Sequence, residues 1–206
     1  MAILAFDMDN TFTNTSASIR VEAYTAAYEA GRTDIVQFLV QARMPVCKYP
    51  DWVSKFIYEN VIIKRIYMDL AEETKLFDGI KEIIQTAKEF RKDLKTVICT
   101  HRGDNTSAWM SSYNWLNKRD MIETGMIDMI HSISHIEQKD KIAYLKAMYP
   151  GHPILLVDDN PLGSTSTIHD HCKEVLIYDA IDKFDGYVNQ DRFTDHKDLL
   201  QRVINM

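Results

Sequence analysis

Ala2-Ile3-Leu4-Ala5-Phe6-Asp7-Met8-Asp9-Asn10-Thr11 sets an unbroken apolar run directly in front of two aspartates spaced two apart. An apolar run without polar alternation suits a strand covered on both faces, as in a parallel α/β sheet. Alternate residues of a strand face the same way, so Asp7 and Asp9 can address one small volume where the strand gives way to a loop. Parallel sheets bind ligands just outside the carboxyl ends of their strands, which is where this pair falls. An Asx-rich turn capping the next helix explains a single Asp-x-Asp as readily, so the weight of the pair comes from the rest of the chain.

A second apolar run, Lys95-Thr96-Val97-Ile98-Cys99, ends at Thr100 and is followed by His101-Arg102-Gly103-Asp104-Asn105. A third, Pro153-Ile154-Leu155-Leu156-Val157, ends at Asp158-Asp159-Asn160-Pro161. Between them Gln138-Lys139-Asp140-Lys141 opens a segment with Ile142, Leu145 and Met148 at helical spacing. Three strand ends thus carry Asp-x-Asp, a hydroxyl and Asp-Asp, with lysine at a helix start nearby.

This ordered set resembles the four motifs of the haloacid dehalogenase (HAD) superfamily, in its phosphatase branch with a C1-type helical cap. The resemblance implies a Rossmann-like three-layer α/β/α core with a parallel sheet, residues 1–13 and 77–206, and a small α-helical cap inserted at 14–76. It implies Asp7 as nucleophile, forming an aspartyl-phosphate, and Asp9 as general acid and then general base. Thr100 and Lys141 would hold the phosphoryl oxygens. Thr11, His101 and Arg102 are the candidate substrate-binding residues. Asp7, Asp9, Asp158 and Asp159 are the candidate metal ligands, Asp9 through its backbone carbonyl, because four carboxylates at one sheet edge repel one another unless a hard cation such as Mg²⁺ joins them. Lys139, two residues from Lys141, is the alternative lysine. Asp159 ranks above Asp158 as direct ligand, and the further acid of many family members is replaced here by Gly163 and Ser164.

Composition fits an enzyme of this kind. The chain has 206 residues, 46% hydrophobic and 26% charged, which suits one substantial core and neither a disordered nor a fibrous chain. No apolar stretch reaches the eighteen or so residues of a membrane span, and the start lacks a signal-like pattern; cytoplasm is the default. Cys47, Cys99 and Cys172 are scattered and odd in number, which predicts reduced, mostly structural thiols. The Asn14-Thr15-Ser16 and Asn105-Thr106-Ser107 sequons therefore carry no weight. A net charge of -6 disfavours broad binding to duplex nucleic acid.

Between the first two motifs the pattern turns helical: Ser16 to Ala30 closed by Gly31, Thr33 to about Arg43, and a long segment from Asp51, read as the N-cap after Pro50, to about Glu73. Helices are expected at Ile80 to Phe90, near Ser107 to Lys118, from Lys141, near Ser164 to Cys172 and from Asp195. Strands are expected near Met129 to Ser134 and at Val175 to Tyr178. His169-Asp170-His171-Cys172 falls in an expected helix, where residues two apart diverge, which disfavours the three or four convergent ligands of a zinc site. The aromatics Tyr24, Tyr28, Phe38, Tyr49, Trp52, Phe56 and Tyr58 are mostly packing residues, with Trp52 and Tyr24 the first candidates to face a cleft.

Thr100-His101-Arg102 followed by Trp109 and Tyr113-Asn114-Trp115-Leu116 is similar to the region after the second motif in nucleotide and polynucleotide phosphatases of the superfamily. Arg102 could fork onto distal substrate oxygens or pair with Asp104 or a cap carboxylate. The expected substrate is a small phosphomonoester, a (deoxy)nucleoside monophosphate first and a polynucleotide 3′-phosphate second, with sugar phosphates also open. A non-catalytic divalent-metal-binding protein is the alternative from another class; dehalogenation has no use for Asp9.

Overall fold

The computed structural model describes residues 1–44, 46–63, 79–159, 172–178, 191–193 and 199–206. Strand β1 (Ala2–Phe6) is buried along its whole length. It lies at the centre of a six-stranded sheet with β2 (Leu94–Thr100), β3 (Met129–Ser132), β4 (Ile154–Asp158), β5 (Val175–Tyr178) and β6 (Asp191–Phe193), in the order β3-β2-β1-β4-β5-β6. Every pairing is parallel. The chain builds outward from β1 through β2 to β3, then crosses back to β4 on the other side. That reversal makes the carboxyl ends of β1 and β4 the switch point at which doubly wound sheets hold ligands.

The period of two along each strand divides the core into two layers. Leu4, Phe6, Ile98, Leu155, Val157 and Leu176 face one side, against α4 (Ile80–Phe90), α5 (Thr106–Asn117) and α7 (Leu199–Ile204). Ile3, Ala5, Val97, Cys99, Leu156 and Ile177 face the other, where Ile142 and Leu145 of α6 (Lys141–Met148) cover them. This is the three-layer α/β/α arrangement with a parallel sheet that the sequence implied. Both faces are dry, and hence the strands carry apolar runs without alternation.

The helices after β1 bury a separate core. α1 (Thr15–Glu29), α2 (Thr33–Gln41) and α3 (Asp51–Ile57) enclose Ala23, Ala27, Ile35, Leu39, Tyr49, Val53 and Phe56. Asn14 caps α1 by accepting from the Ala17 N–H at 3.3 Å, and Gly31, at φ 66°, closes its far end. Two details differ from expectation. Pro50 is the N-cap of α3, and Asp51 is its first residue, where a carboxylate favours the helix dipole. The helical run does not continue regularly beyond Ile57 but widens into a π-helical turn at Tyr58–Ile62. Trp52 packs edge-on against Phe38, with ring centroids 5.6 Å apart, although 46% of it remains exposed.

The expected helix at Ser164 to Cys172, the segment to Glu73 beyond residue 63, and the start of the final helix at Asp195 lie outside the described residues, as does the His169-Asp170-His171 cluster. β3 ends at Ser132, two residues sooner than expected. β6 had no sequence signal, being short and polar at Asp191 and Arg192.

Asp128 anchors the outer strand. Its backbone N–H donates to Thr96 O at 2.8 Å, and its carboxylate accepts from the Thr96 N–H at 2.8 Å, from Lys95 Nζ at 3.0 Å and from Lys88 Nζ. Partial burial opposes its charge, but Lys88, the Thr96 N–H and Lys95 outweigh burial and hold the carboxyl below the usual carboxylate range. A folded-state value below the unfolded one stabilises the fold above about pH 3.9 and ceases to do so as pH falls through the lower, folded value. Asp128→Asn should therefore cost stability at pH 7 in urea denaturation, with the difference from the parent closing as pH drops below about 3.9.

Candidate active site

Parallel pairing brings the three chemistry-bearing strand ends together. Phe6 pairs with Val157, and the Asp7 N–H donates to Val157 O at 2.9 Å. The carboxylates of Asp7, Asp158 and Asp159 are all buried, with one oxygen of each within 4.8 Å of the others. Thr100, 1% exposed, ends the neighbouring strand β2.

Lys141 reaches this cluster from the first position of α6. Asp140 caps that helix by accepting from the Ile142 and Ala143 N–H groups at 3.0 and 3.1 Å, which fixes Lys141, and not Lys139, at the inward-facing helix start. Its Nζ lies 2.8 Å from an oxygen of Asp7 and 2.8 Å from one of Asp158, and its side chain is 2% exposed. Lys139 is exposed. Desolvation alone would depress the Lys141 ammonium; Asp158 and Asp7 overcome it and hold its value above the ordinary one. Desolvation raises the Asp158 carboxyl, Lys141 pulls it back, and Asp7 and Asp159 push it further up. One ammonium among three buried carboxylates leaves negative charge to be balanced, and every donor in the cluster is an oxygen. Such a donor set fits a hard divalent cation such as Mg²⁺ and not zinc.

Asp9 does not join the cluster through its carboxylate. Arg102 grips it as a fork, Nε to Oδ2 at 2.8 Å and Nη2 to Oδ1 at 2.6 Å, and the Thr15 hydroxyl donates to Oδ1 at 2.7 Å. Burial works against its charge, but Arg102 and Thr15 hold the carboxyl below its usual range. Among the described residues the carboxylate that Arg102 pairs with is therefore Asp9, and not Asp104. The loop that makes this geometry turns at Asn10, whose φ of 62° suits Asn among non-glycine residues. Asn10 Oδ1 accepts from the Ser16 N–H at 2.8 Å, and Thr13 bonds both Met8 O and Thr15. The start of α1 is thereby tied to the Asp7 and Asp9 loop. Thr15 was missed in the sequence, where the density of Asn and Thr from Asn10 to Thr15 is the available signal.

Thr11 donates to Asp159 at 3.4 Å, bridging the two aspartate loops. His101 bonds the carbonyl of Gln138 through Nε2 at 2.8 Å, so that nitrogen carries a hydrogen; burial keeps the ring below its ordinary value. It ties the loop after β2 to the loop that delivers Lys141. Gly103, at φ 106°, lets the same loop turn back so that its N–H reaches Ile133 O at 3.1 Å. Cys99, behind the cluster, is pushed up to about 12 by desolvation, so its thiol stays neutral. Trp115 belongs to the core. Trp109 donates to Ile130 O and stacks on Tyr113. A separate cavity of about 730 Å³, lined in part by Lys146, His152, Ile154 and Lys173, opens at the amino ends of β4 and β5, away from the carboxylates.

No family model matches the chain, and no curated protein sequence matches it. Its structural neighbours are HAD-superfamily hydrolases and phosphatases. A protein from Thermotoga maritima provisionally named a beta-phosphoglucomutase superposes at a TM-score of 0.60 with 13% identity over 100% of each chain. A protein from Bacillus subtilis provisionally named a HAD-hydrolase, and bound to magnesium, does so at 0.56 with 13% identity over 100% of this chain and 99% of that one. A HAD-superfamily hydrolase of subfamily IA from Geobacter sulfurreducens gives 0.54 with 10% identity over 98% and 96%. At these identities the likeness is one of fold.

The burial of Lys141 has a measurable consequence. Removing one partner of a buried ion pair leaves an uncompensated charge, so Lys141→Met, unfolded by denaturant in the presence of chelator, should lose about 3–5 kcal/mol. Lys139→Met should change stability by less than about 0.5 kcal/mol. A larger loss in the second variant would show that the buried cation had been misassigned.

Proposed function

We propose that this protein is a Mg²⁺-dependent phosphohydrolase that forms an aspartyl-phosphate on Asp7 and releases phosphate from a small phosphomonoester. The observation that carries this reading is the contact of Asp7 with Lys141 inside a buried cluster of three carboxylates. That cluster sits at the switch point of a sheet whose structural neighbours are HAD hydrolases.

Asp7 is buried and held by Lys141, which leaves a carboxylate oxygen fixed in direction and nearly free of water, the condition a carboxylate nucleophile needs. Its oxygen attacks phosphorus and the ester P–O bond breaks. The leaving oxygen takes a proton from Asp9, itself protonated from solvent. Water then attacks the phosphorus of the acyl-phosphate and gives its proton to Asp9, and Asp7 is regenerated with release of phosphate. The Lys141 ammonium and the Thr100 hydroxyl stabilise the phosphoryl oxygens as charge moves onto them. Asp7, Asp158, Asp159 and the backbone carbonyl of Asp9 would hold Mg²⁺, which supplies positive charge opposite those oxygens.

The segment 14–76 acts as a cap over the site, and the tie of its first helix to the Asp9 loop through Thr15 and Ser16 supports that role. Such a lid favours a small substrate and shields the acyl-phosphate from stray water. A (deoxy)nucleoside monophosphate is the first candidate and a polynucleotide 3′-phosphate the second. The provisional name of the Thermotoga neighbour adds sugar phosphates. The buried, neutral thiol of Cys99 suits the cytoplasm, and no helix among the described residues is long and apolar enough to cross a membrane.

Two experiments test this. Asp7→Asn should lower phosphate release from a panel of phosphomonoesters by at least about 10³-fold, keep the circular dichroism of the parent, and fail to trap a beryllofluoride mimic of the acyl-phosphate. Turnover within about tenfold of the parent would refute Asp7 as nucleophile. Exhaustive chelation should abolish activity and Mg²⁺ restore it, with calorimetric Mg²⁺ binding weakened by Asp159→Asn; full activity in chelator would refute the metal requirement.

A further inference from the structure

Asp9 is engaged in a way that the proposed chemistry cannot use directly. Both of its oxygens face donors, one taking Arg102 Nη2 and Thr15 and the other Arg102 Nε. A general acid must present a protonated oxygen to the leaving group. A guanidinium in bidentate contact occupies both oxygens and fixes their direction. The observed arrangement is therefore a resting one, and Asp9 becomes a proton donor only after Arg102 lets go.

Arg102 cannot let go into nothing. Its side chain is only 16% exposed, and a guanidinium largely withdrawn from water is costly to leave without an anion. The loop that carries it is tied down beside it, Gly103 donating its N–H to Ile133 O and accepting at its carbonyl from the Ser132 hydroxyl. A replacement for Asp9 must arrive at the site and offer two oxygens spaced for the fork, as a carboxylate or phosphate does. The Arg102 head is close enough to Asp7 for that carboxylate to act on its charge, yet its hydrogen bonds go to Asp9. The scissile phosphate is taken by Lys141 and Thr100, so the anion that displaces Asp9 is a different one.

We propose that Arg102 is a specificity-determining residue that exchanges Asp9 for a second anionic group of the substrate, a carboxylate or a further phosphate, so that a two-anion substrate releases Asp9 for proton transfer. The second half of this inference rests on the phosphohydrolase reading above; the first rests on the Arg102 and Asp9 geometry alone. Substrate selection and activation of the acid then become one event. A phosphomonoester without a second anion leaves Asp9 locked, which moves the preferred nucleotide from the monophosphate named first above to a nucleoside bisphosphate.

Phosphonates, whose C–P bond is not hydrolysed, test the exchange apart from turnover. Calorimetric titration in Mg²⁺ buffer compares propylphosphonate, with one anionic group, against 4-phosphonobutanoate and 1,3-propanebisphosphonate, each with two. The parent should bind at least one two-anion probe about tenfold or more tightly than propylphosphonate. Whichever of the two is tighter identifies carboxylate or phosphate as the natural second group. In Arg102→Met this ratio should fall below about threefold, and in Arg102→Lys, which keeps the charge and loses the fork, it should fall part of the way. If the methionine variant does not fold, the lysine variant alone decides. Equal affinity of the parent for all three probes, or an undiminished ratio in the variants that fold, overturns the proposal. Arg102-dependent binding with no phosphate release from any ester would instead overturn the hydrolase reading and leave the anion site standing.

Discussion

The ammonium of Lys141, held between Asp7 and Asp158 and shut away from water, is the interaction on which the rest of the site depends. Burying carboxylates is expensive unless a cation and hydrogen bonds compensate them. That demand explains several otherwise unrelated features. Asp140 caps α6 so that the lysine enters at the first turn. Cys99 behind the lysine stays neutral. The strand ends of β1 and β4 are in register, so that two aspartates from distant parts of the chain meet. Even so, one cation does not balance three carboxylates: burial first, and Asp7 and Asp159 after it, raise the Asp158 carboxyl against the pull of Lys141, and a divalent ion would relieve the mutual repulsion.

A second charged pair, Asp9 with Arg102, stands beside the first and is governed by different physics. It is partly open to water, with side-chain exposures of 31% for the acid and 16% for the base, and it joins two loops instead of sealing a core. Thr15 brings the first helix of the inserted segment into the same contact. Movement of that helix would therefore be felt at Asp9, while the Asp7, Asp158 and Lys141 group, anchored in the sheet, would stay in place. Under the proposed mechanism this sets a rigid nucleophile beside an adjustable acid, which suits two-step phosphoryl transfer because the acid must change its protonation and its partner during the cycle.

Much of the fold was legible in the chain. The apolar runs at Ala2 to Phe6, Thr96 to Cys99 and Ile154 to Val157 could be read as doubly covered strands because burial on both faces removes polar alternation. The residue types behind those runs pointed to a chemistry, since carboxylates, a hydroxyl and a lysine at strand ends and a helix start suit phosphate and a hard cation. Elements whose signals are weak were missed or misplaced. β6 is three residues long and polar at its start. The π-helical turn at Tyr58–Ile62 leaves no mark in a helical periodicity. The N-cap of α3 shifted by one residue, from Asp51 to Pro50.

What the sequence by itself determined is the class of fold and the list of groups that meet at one sheet edge, because both follow from local pattern: runs, spacings and the residues that end them. Only the tertiary structure decided between Lys139 and Lys141, since the choice depends on which one the Asp140 cap turns inward toward Asp7. Only it separated Asp9 from the other three aspartates, because the partner that draws Asp9 aside, Arg102, lies 93 positions away along the chain. Pairings at that separation are set by strand order and loop path and not by local sequence, so the charges could be listed from the chain but their partners could not.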